Sequence, residues 1–315
     1  MRNWVVIALI LVVVGLIGAF GTFRGDFSFG TEKIDQQQWM AVDGVSDIIV
    51  KSGSMDVTIV PGSEQKIKAK LSGRASRKYR DKLKLTLERK GDQLNVSLED
   101  NVGFTIGLNF RSVDLTLELP QQMYRKLVLD TGSGDAELKQ IQADRIELDM
   151  GSGDVSLQQL TATTVSADIG SGDLHATDIT ANESAELKAG SGDITVDGLK
   201  SKQLTAKTGS GDIALNDVDA AIKGEARSGD IDLALDALNQ TVDLETGSGD
   251  VSIMTREEPQ DAHITYSSGS GDLDNDWDGA QKMTDEDERD NLVFGSGSIP
   301  VHVHTGSGNL DVGAR

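Results

Sequence analysis

From Lys126 onward, apolar residues alternate with polar ones in short runs that recur about every twenty residues. In the first unit, Leu127 and Leu129 precede a Gly-Ser-Gly-Asp tetrapeptide, and Ala136 and Leu138 follow it. Alternation with a period of two is typical of strands with one buried face. Each unit is therefore predicted to hold at least two short strands, with the tetrapeptide at the corner between them.

The tetrapeptide recurs at nearly constant spacing, with steps of 19, 19, 20, 19, 18, 20 and 22 residues between its aspartates. These aspartates are Asp135, Asp154, Asp173, Asp193, Asp212, Asp230, Asp250 and Asp272. Altered copies end at Ser298 ("GSGS") and Asn309 ("GSGN"). Repeats of this length are typical of solenoids, because stacked units bury a core that one unit cannot bury alone. The sequence predicts an all-β fold, a parallel β-helix of about 19 to 20 residues per coil over residues 126–315.

The composition of the tetrapeptide suits a corner of the backbone. Glycine accepts a positive φ without steric cost, and the short side chains of serine and aspartate can bond to nearby backbone N–H groups. In the sixth unit Arg227 replaces the first glycine, whereas Gly229 and Asp230 remain. The first glycine is therefore expected to be replaceable. Stacked aspartates would lie about 4.8 Å apart, a spacing that could also attract cations.

Residues 25–125 are strand-like but irregular, and we interpret them as a cap with the earliest coils. The stretch 47–60 is a degenerate copy of the repeat, and 83–98 has the pattern of a hairpin that turns at "KGD". A solenoid needs its terminal coil covered, and atypical end repeats do this.

An uncharged run extends from Trp4 to Phe23. Twenty helical residues match the thickness of a bilayer, and the run is longer than the apolar core of an ordinary signal peptide. Residues 1–24 are therefore predicted to hold an uncleaved transmembrane helix, rather than a cleaved signal. Arg2 favours a cytoplasmic N-terminus. The protein is expected to cross the cell membrane once, with the remaining chain extracytoplasmic.

Charge is distributed unevenly along the chain. The total is −21, but residues 66–90 hold eleven Lys and Arg against two acids, a net charge of +9 that leaves −30 elsewhere. The acidic total argues against a nucleic-acid partner. The basic segment is either a solvated face or a contact with anionic lipid headgroups or envelope polymers. The candidate contact residues are Arg74, Arg77, Lys78, Arg80 and Lys82.

The acidic loop 274–291 holds a second and sharper candidate for a calcium site, beside the column of repeat aspartates. Asp274, Asp276 and Asp278 lie at alternate positions before a glycine, and Asp285 lies eleven residues after the first, as in an EF-hand loop. The bidentate glutamate and the flanking helices of that motif are missing. A solvated acidic loop is therefore the alternative to Ca²⁺.

Other chemistry has little support in the sequence. The chain has no Cys, which excludes disulfides and thiolate chemistry. His302 and His304 alternate on one predicted strand face, but two imidazoles without a third ligand make an exposed face the simpler interpretation. Motifs of hydrolases, metalloproteases and P-loop proteins are absent. We expect no enzymatic activity and no cofactor.

The N-terminal apolar segment, "IIVKSGSMDVTIVPG", "LTLELP", the repeated "GSGD" units and the closing "VHVHTGSGNLDV" together resemble a known family. They are similar to the bacterial β-helix family labelled "putative adhesin", and most similar to the LiaG-type membrane proteins of cell-envelope-stress operons. The resemblance covers roughly residues 30–315 and implies an envelope protein without catalytic residues. The expected function is a non-catalytic interaction or scaffold module for an envelope protein or polymer. The alternatives are a Ca²⁺-binding adhesin-like module and, less favoured, a glycan-active β-helix enzyme.

Overall fold

The computed structural model describes residues 31–63, 65–76, 83–100, 111–284 and 290–315. These ranges contain strands, turns and loops and no helix, which confirms the all-β prediction for them. In the described part of the chain, no helix is long and apolar enough to span a bilayer. The predicted transmembrane segment, residues 1–24, lies outside the described residues.

Within the described ranges, twenty-four strands join into one continuous sheet. The strands before the regular coils are β1 (Thr31–Ala41), β2 (Asp47–Ser54), β3 (Asp56–Gly62), β4 (Lys66–Ser76), β5 (Leu83–Lys90), β6 (Gln93–Asp100) and β7 (Arg111–Pro120). The regular coils contain β8 (Met123–Ser133), β9 (Ala136–Lys139), β10 (Gln142–Ser152), β11 (Val155–Gln158), β12 (Thr161–Ser171), β13 (Leu174–Ser191), β14 (Ile194–Thr208), β15 (Ile213–Ala226), β16 (Ile231–Leu235), β17 (Val242–Thr246) and β18 (Val251–Thr255). The C-terminal strands are β19 (Ala262–Ser268), β20 (Leu273–Asn275), β21 (Gln281–Thr284), β22 (Asp290–Val293), β23 (Ile299–Thr305) and β24 (Leu310–Ala314).

One coil has three faces, which its buried positions define. The buried side chains of the coil that starts after Asp135 are Ala136, Leu138, Ile141, Ala143, Ile146, Leu148 and Met150. Successive buried residues are two positions apart along each face and three positions apart at two of the corners. The next buried residue, Val155, comes five positions later, across the Gly-Ser-Gly-Asp corner. Steps of two keep side chains on one face of a strand, and odd steps occur where the chain turns.

The middle coils stack in parallel and in the order of the chain. Strand β10 pairs in parallel with both β8 and β12, so Leu148 lies beside Leu129 on one side and Ala167 on the other. Corresponding residues of successive repeats therefore form ladders through the core. This pairing confirms the predicted parallel coils.

At the N-terminal end, the first coil is placed out of chain order. Strands β2 and β3 pair in parallel with β8 and β9 on one side and with β6 and β7 on the other. The stretch 47–60 thus forms a coil, as its degenerate motif indicated. Strands β5 and β6 form the predicted antiparallel hairpin, and β4 pairs antiparallel with β1 and β7.

The C-terminal end shows a second departure from chain order. The last strands, β23 and β24, lie between the coil of β17 and β18 and the coil of β19 and β20. Strand β22 pairs antiparallel with β19 and β21. The segment predicted as an acidic loop, 274–291, therefore contributes β21 and the start of β22 to this cover. The last coil in sequence is the second-to-last coil in space.

Candidate functional site

The aspartates of the repeat form a hydrogen-bonded ladder along one edge of the solenoid. The backbone N–H of Asp154 donates to Oδ1 of Asp135 at 3.0 Å, and the N–H of Asp173 donates to Oδ1 of Asp154 at 2.9 Å. The same bond recurs at every step, with distances from 2.7 to 3.0 Å. In spatial order the ladder contains Asp56, Asp135, Asp154, Asp173, Asp193, Asp212, Asp230, Asp250, Asn309 and Asp272. Each carboxylate before the terminal Asp272 thus satisfies a backbone donor of the neighbouring coil, which accounts for the aspartate as a structural residue.

The ladder differs from the predicted column of eight consecutive aspartates. Asn309 lies between Asp250 and Asp272, since its N–H donates to Asp250 at 2.7 Å and its Oδ1 accepts from the N–H of Asp272 at 3.0 Å. Asparagine supplies the same acceptor without a charge. The prediction that Asp272 follows Asp250 directly is therefore wrong, because the last coil occupies the place between them.

The "GSGS" sequence is not a corner of the stack, contrary to the prediction. It precedes β23 and surrounds Asp261, whose carboxylate accepts bonds from the backbone N–H groups of Ser296 and Ser298 at 2.9 and 3.1 Å. Both hydroxyls donate to the same carboxylate. These bonds favour the charged form and hold the pKa of Asp261 well below its usual range.

Both glycines of the tetrapeptide are sterically constrained. At the second glycine, φ lies between 105° and 155° in the regular corners. A Cβ on Gly192 would lie 2.0 Å from the carbonyl oxygen of Gly172. A Cβ on the first glycine, Gly190, would also lie only 2.5 Å from the carbonyl oxygen of Gly170. The expectation that the first glycine is replaceable holds at Arg227 and does not extend to the other corners.

The acidic loop is organised by an asparagine that lies outside the calcium-ligand pattern. The side chain of Asn275 donates to the carbonyl of Trp277 at 2.7 Å and accepts from its N–H at 3.2 Å. Asp274 lies on β20 opposite Asp311. Burial, followed by the charges of Asp274 and its neighbours, raises the pKa of Asp311.

Of the four proposed calcium ligands, Asp274, Asp276 and Asp278 are exposed, and Asp285 lies outside the described residues. Within the part of the chain that the structure describes, no three His, Cys, Asp or Glu side chains come close enough to hold a metal ion. Calcium binding stays a prediction.

His302 and His304 both project from the exposed face of β23, as the alternation predicts. His304 Nδ1 lies 2.9 Å from the hydroxyl of Ser267 on the neighbouring strand. His302 lies beside Asp243 in the adjacent coil. The pair forms part of a polar outer face.

A basic surface near the N-terminus, here called the N-terminal basic face, consists of Trp39, Lys66, Lys68, Lys70 and Arg74. The four cations alternate with inward-facing residues of β4 and therefore share its outer side. Trp39 on β1 lies opposite Lys68 on β4, and 64% of Trp39 is exposed. The Lys66 ammonium lies 4.7 Å from the centre of the Trp39 ring, within cation–π distance.

The structure places one of the five predicted contact residues on this face. Arg74 donates from Nε to the hydroxyl of Thr31 at 3.0 Å. Arg77, Lys78, Arg80 and Lys82 lie outside the described residues. Sequence reasoning missed Trp39, although an aromatic residue at a polar position of an alternating strand was a usable signal.

Two solved structures share this fold over nearly their whole length. A "putative lipid binding protein" from Parabacteroides distasonis ATCC 8503 has a TM-score of 0.53 and 16% identity, with 90% of this chain and 97% of that one covered. A "putative adhesin" from the same organism has a TM-score of 0.52 and 10% identity, covering 89% and 97%. At such identities the likeness concerns the fold.

No curated protein matches the sequence. The model of one protein family, described as Toastrack DUF4097, matches residues 45–313. That range includes every regular coil, the out-of-order first coil and the C-terminal strands up to Gly313. The chain belongs to the Toastrack DUF4097 family.

Proposed function

We propose that this protein is a non-catalytic interaction module of the bacterial cell envelope. A single N-terminal helix anchors it in the cell membrane, and the solenoid lies on the extracytoplasmic side. The N-terminal basic face rests against anionic lipid headgroups, and the coils present a surface to an envelope protein or polymer. In this proposal the protein is of the LiaG type and acts in the response to envelope stress.

The N-terminal basic face is the observation that carries this proposal. Lys66, Lys68, Lys70 and Arg74 place four positive charges on one strand of a chain whose net charge is −21, and Glu118 offsets one of them because it lies 3.8 Å from Lys68. A basic residue near an anionic membrane surface contributes about 1 kcal/mol. Trp39 adds an amphipathic ring, which is the side chain that proteins use at the level of lipid headgroups.

The position of this face in the chain also supports a membrane contact. Strand β1 begins at Thr31, eight residues after Phe23, where the predicted anchor ends. Eight extended residues reach about 28 Å at most. A membrane helix that ends at Phe23 would therefore hold β1 and its neighbour β4 close to the headgroups.

One structure of this fold is named a "putative lipid binding protein", and in this proposal lipid is the partner of the basic face. The basic face itself favours headgroups that carry a net negative charge, because neutral headgroups offer no gain in Coulomb energy.

The test uses the full chain in lipid nanodiscs, with Trp4 and Trp277 changed to Phe so that Trp39 reports alone. We expect brominated lipids to quench Trp39 in bilayers that contain phosphatidylglycerol, and the quenching to fall at high salt because screening weakens surface charges. Lys66→Glu with Lys70→Glu should abolish it.

The matched control reverses two lysines on the central coils, Lys200→Glu with Lys202→Glu, with the same change in net charge. This control should quench as the parent does. Equal quenching in uncharged bilayers, or no loss in the Lys66 and Lys70 variant, would contradict the proposal.

The alternative proposal is a Ca²⁺-stabilised, adhesin-like module that uses Asp274, Asp276, Asp278 and Asp285. Calorimetric titration of the full chain with millimolar Ca²⁺ tests it. Heat of binding together with a raised melting temperature, both lost in Asp276→Asn, would support calcium. A titration without heat and without a shift in melting temperature would reject it.

A further inference from the structure

A groove of about 590 Å³ runs across five coils on the wall that leads into the Gly-Ser-Gly-Asp corners. Its floor includes three first glycines of the tetrapeptide, Gly190, Gly209 and Gly247. Its charged lining residues are Asp168, Lys188, Lys207, Glu225, Arg227 and Glu245. The groove is therefore lined partly by glycines, which have no side chains, and partly by charged side chains.

Arg227 occupies the place of a floor glycine. Its N–H donates to the carbonyl of Thr208 at 3.1 Å, as the N–H of Gly209 donates to Ala189 at 3.1 Å one coil earlier. The backbone is thus in the same register as in the other corners. The arginine adds a long, exposed cationic side chain where the adjacent coils have none.

The Arg227 guanidinium makes no hydrogen bond and no ion pair with any residue that the structure describes. The carboxylate next to it is already neutralised, since Glu225 accepts Lys207 at 2.7 Å and Lys223 at 2.8 Å. Those two lysines lower the pKa of Glu225. Glu245, the next acid along the wall, likewise has no hydrogen bond or ion pair within the described ranges. Arg227 and Glu245 thus have no close partner among the described residues, although Glu245 acts at longer range on Lys223, whose pKa is raised chiefly by Glu225 and also by Asp243 and Glu245.

The backbone positions of Arg227 and Glu245 are close enough for both side chains to reach one small ligand. Gly247 stacks on Arg227, and Glu245 lies two residues before Gly247. One coil spacing of about 4.8 Å and two residues of about 3.3 Å each place their Cα atoms about 8 Å apart.

The charges of the groove favour a ligand that carries both signs. Three cations face three acids there, so a polyanion gains no net attraction within a chain of charge −21. A guanidinium binds phosphate or carboxylate through two parallel hydrogen bonds. We propose that the groove binds a zwitterionic group, with its oxyanion on Arg227 and its ammonium on Glu245. This site lies on the solenoid wall and does not depend on the membrane contact proposed above.

The test is a calorimetric titration of the full chain in detergent with four probes. O-phosphoethanolamine represents a lipid headgroup, and glycylglycine represents a peptide. Inorganic phosphate and ethylamine carry one charge sign each. We expect saturable binding of at least one zwitterion, and binding of both single-sign probes about tenfold weaker or more, because each loses one charge-assisted contact. The stronger zwitterion identifies the source of the ligand.

Arg227→Gly is the decisive variant, because it restores the residue that the adjacent corners carry and should keep the melting temperature. We expect it to weaken the zwitterion about tenfold or more. Glu245→Gln should lower the affinity for the zwitterion to that for phosphate. Arg227→Lys should bind the zwitterion with intermediate affinity, because lysine keeps the positive charge and lacks the planar guanidinium with its paired donors.

Three results would overturn the proposal: no zwitterion binds, phosphate binds as well as O-phosphoethanolamine, or Arg227→Gly binds as tightly as the parent. If Arg227→Gly lowers the melting temperature, Arg227→Lys decides in its place. Unchanged affinity there and in Glu245→Gln would equally exclude the site.

Discussion

The middle coils and the C-terminal coils use the same corner and differ in how the chain connects them. In the middle, Asp173 bonds to Asp154, nineteen residues earlier. At the end, Asn309 bonds to Asp250, fifty-nine residues earlier, and Asp272 bonds to Asn309 from the other side. The comparison separates two requirements of a solenoid, which are a repeating unit that stacks and an end that stops the stacking.

The out-of-order ends close the molecule by means that a simple repeat does not have. Each end places one coil between two others and adds antiparallel strands, β4 with β1 at the start and β22 with β21 near the end. Antiparallel cover occupies strand edges that would otherwise pair with another chain. Contacts over long sequence separation also cost more chain entropy to form. We infer that the ends set the stability of the whole, while the middle sets its length.

The largest expected effect comes from deleting residues 299–315, compared with deleting one middle repeat, residues 155–173. The first deletion empties the place between β18 and β20, and we expect the chain to lose about 10 °C or more in melting temperature or fail to fold. The second joins Asp154 to Leu174 in register and should cost less than about 5 °C. Circular dichroism melts measure both. A middle deletion that is the more damaging of the two would refute the comparison.

Alanine at a middle corner should cost more than alanine at the C-terminal turn. Gly192 has a φ of 129°, and its Cβ would lie 2.0 Å from a backbone oxygen, so Gly192→Ala should cost about 3 kcal/mol. Gly297 has a φ of 69° with its nearest neighbours at 3.3 Å, both side-chain atoms, so Gly297→Ala should cost about 1 kcal/mol. Urea unfolding gives both values. Similar costs would mean that the stack relaxes around an added methyl group.

A fall in pH should change the contributions of two aspartate side chains near the C-terminus, Asp261 and Asp311, to stability in opposite directions. Asp261 has a lowered pKa, so its stabilisation is present above the unfolded pKa near 3.8 and is lost as the pH falls through the folded pKa. Asp311 has a raised pKa, so its ionised form destabilises the fold at neutral pH, and this penalty disappears as the pH falls.

The measurement is the melting temperature of two variants at pH 7 and near pH 3. Asp261→Ala should melt below the parent at pH 7, and Asp311→Asn should melt above it. Both differences should shrink in acid. A difference for Asp261→Ala that stays constant with pH would show that its role is independent of charge.

The smallest expected effect is an exchange of charge within the ladder. Asp193→Asn keeps the acceptor oxygen, as Asn309 does in the native chain, and should change stability by less than about 0.5 kcal/mol. Asp193→Ala leaves the N–H of Asp212 without its acceptor and should cost about 1 kcal/mol. Urea unfolding compares the two. Equal losses would mean that charge, rather than the hydrogen bond, matters at this position.

Most of the repeating structure could be predicted from the sequence, because the coil is defined by local patterns. The alternation of apolar and polar residues predicted the faces of each coil, and the Gly-Ser-Gly-Asp tetrapeptide predicted its corner. The order of the terminal coils could not be predicted, because Val301 and Val303 alternate in the same way as Val242 and Leu244 in the coil beside them. Local alternation shows that a strand has a buried face and contains no information about which strand lies next to it.

The same limit applies to the site residues. The aspartates were recognised as turn residues, but their acceptor role across coils depends on stacking. Arg227 was visible as an exception to the glycine column. Its exposure in a groove with Glu245 follows only when five coils are placed side by side.

The aspartate ladder has a direction, and this has a consequence for how such a protein changes in evolution. Every middle coil takes one acceptor from the coil before it and offers one to the coil after it, so a duplicated segment of nineteen residues brings both halves of the junction. Gene duplication or loss can therefore lengthen or shorten the middle one coil at a time. The C-terminal end lacks this freedom, because Asn309 must form hydrogen bonds with Asp250 and Asp272 at the same time. We expect relatives to vary in the number of coils and to keep both closures.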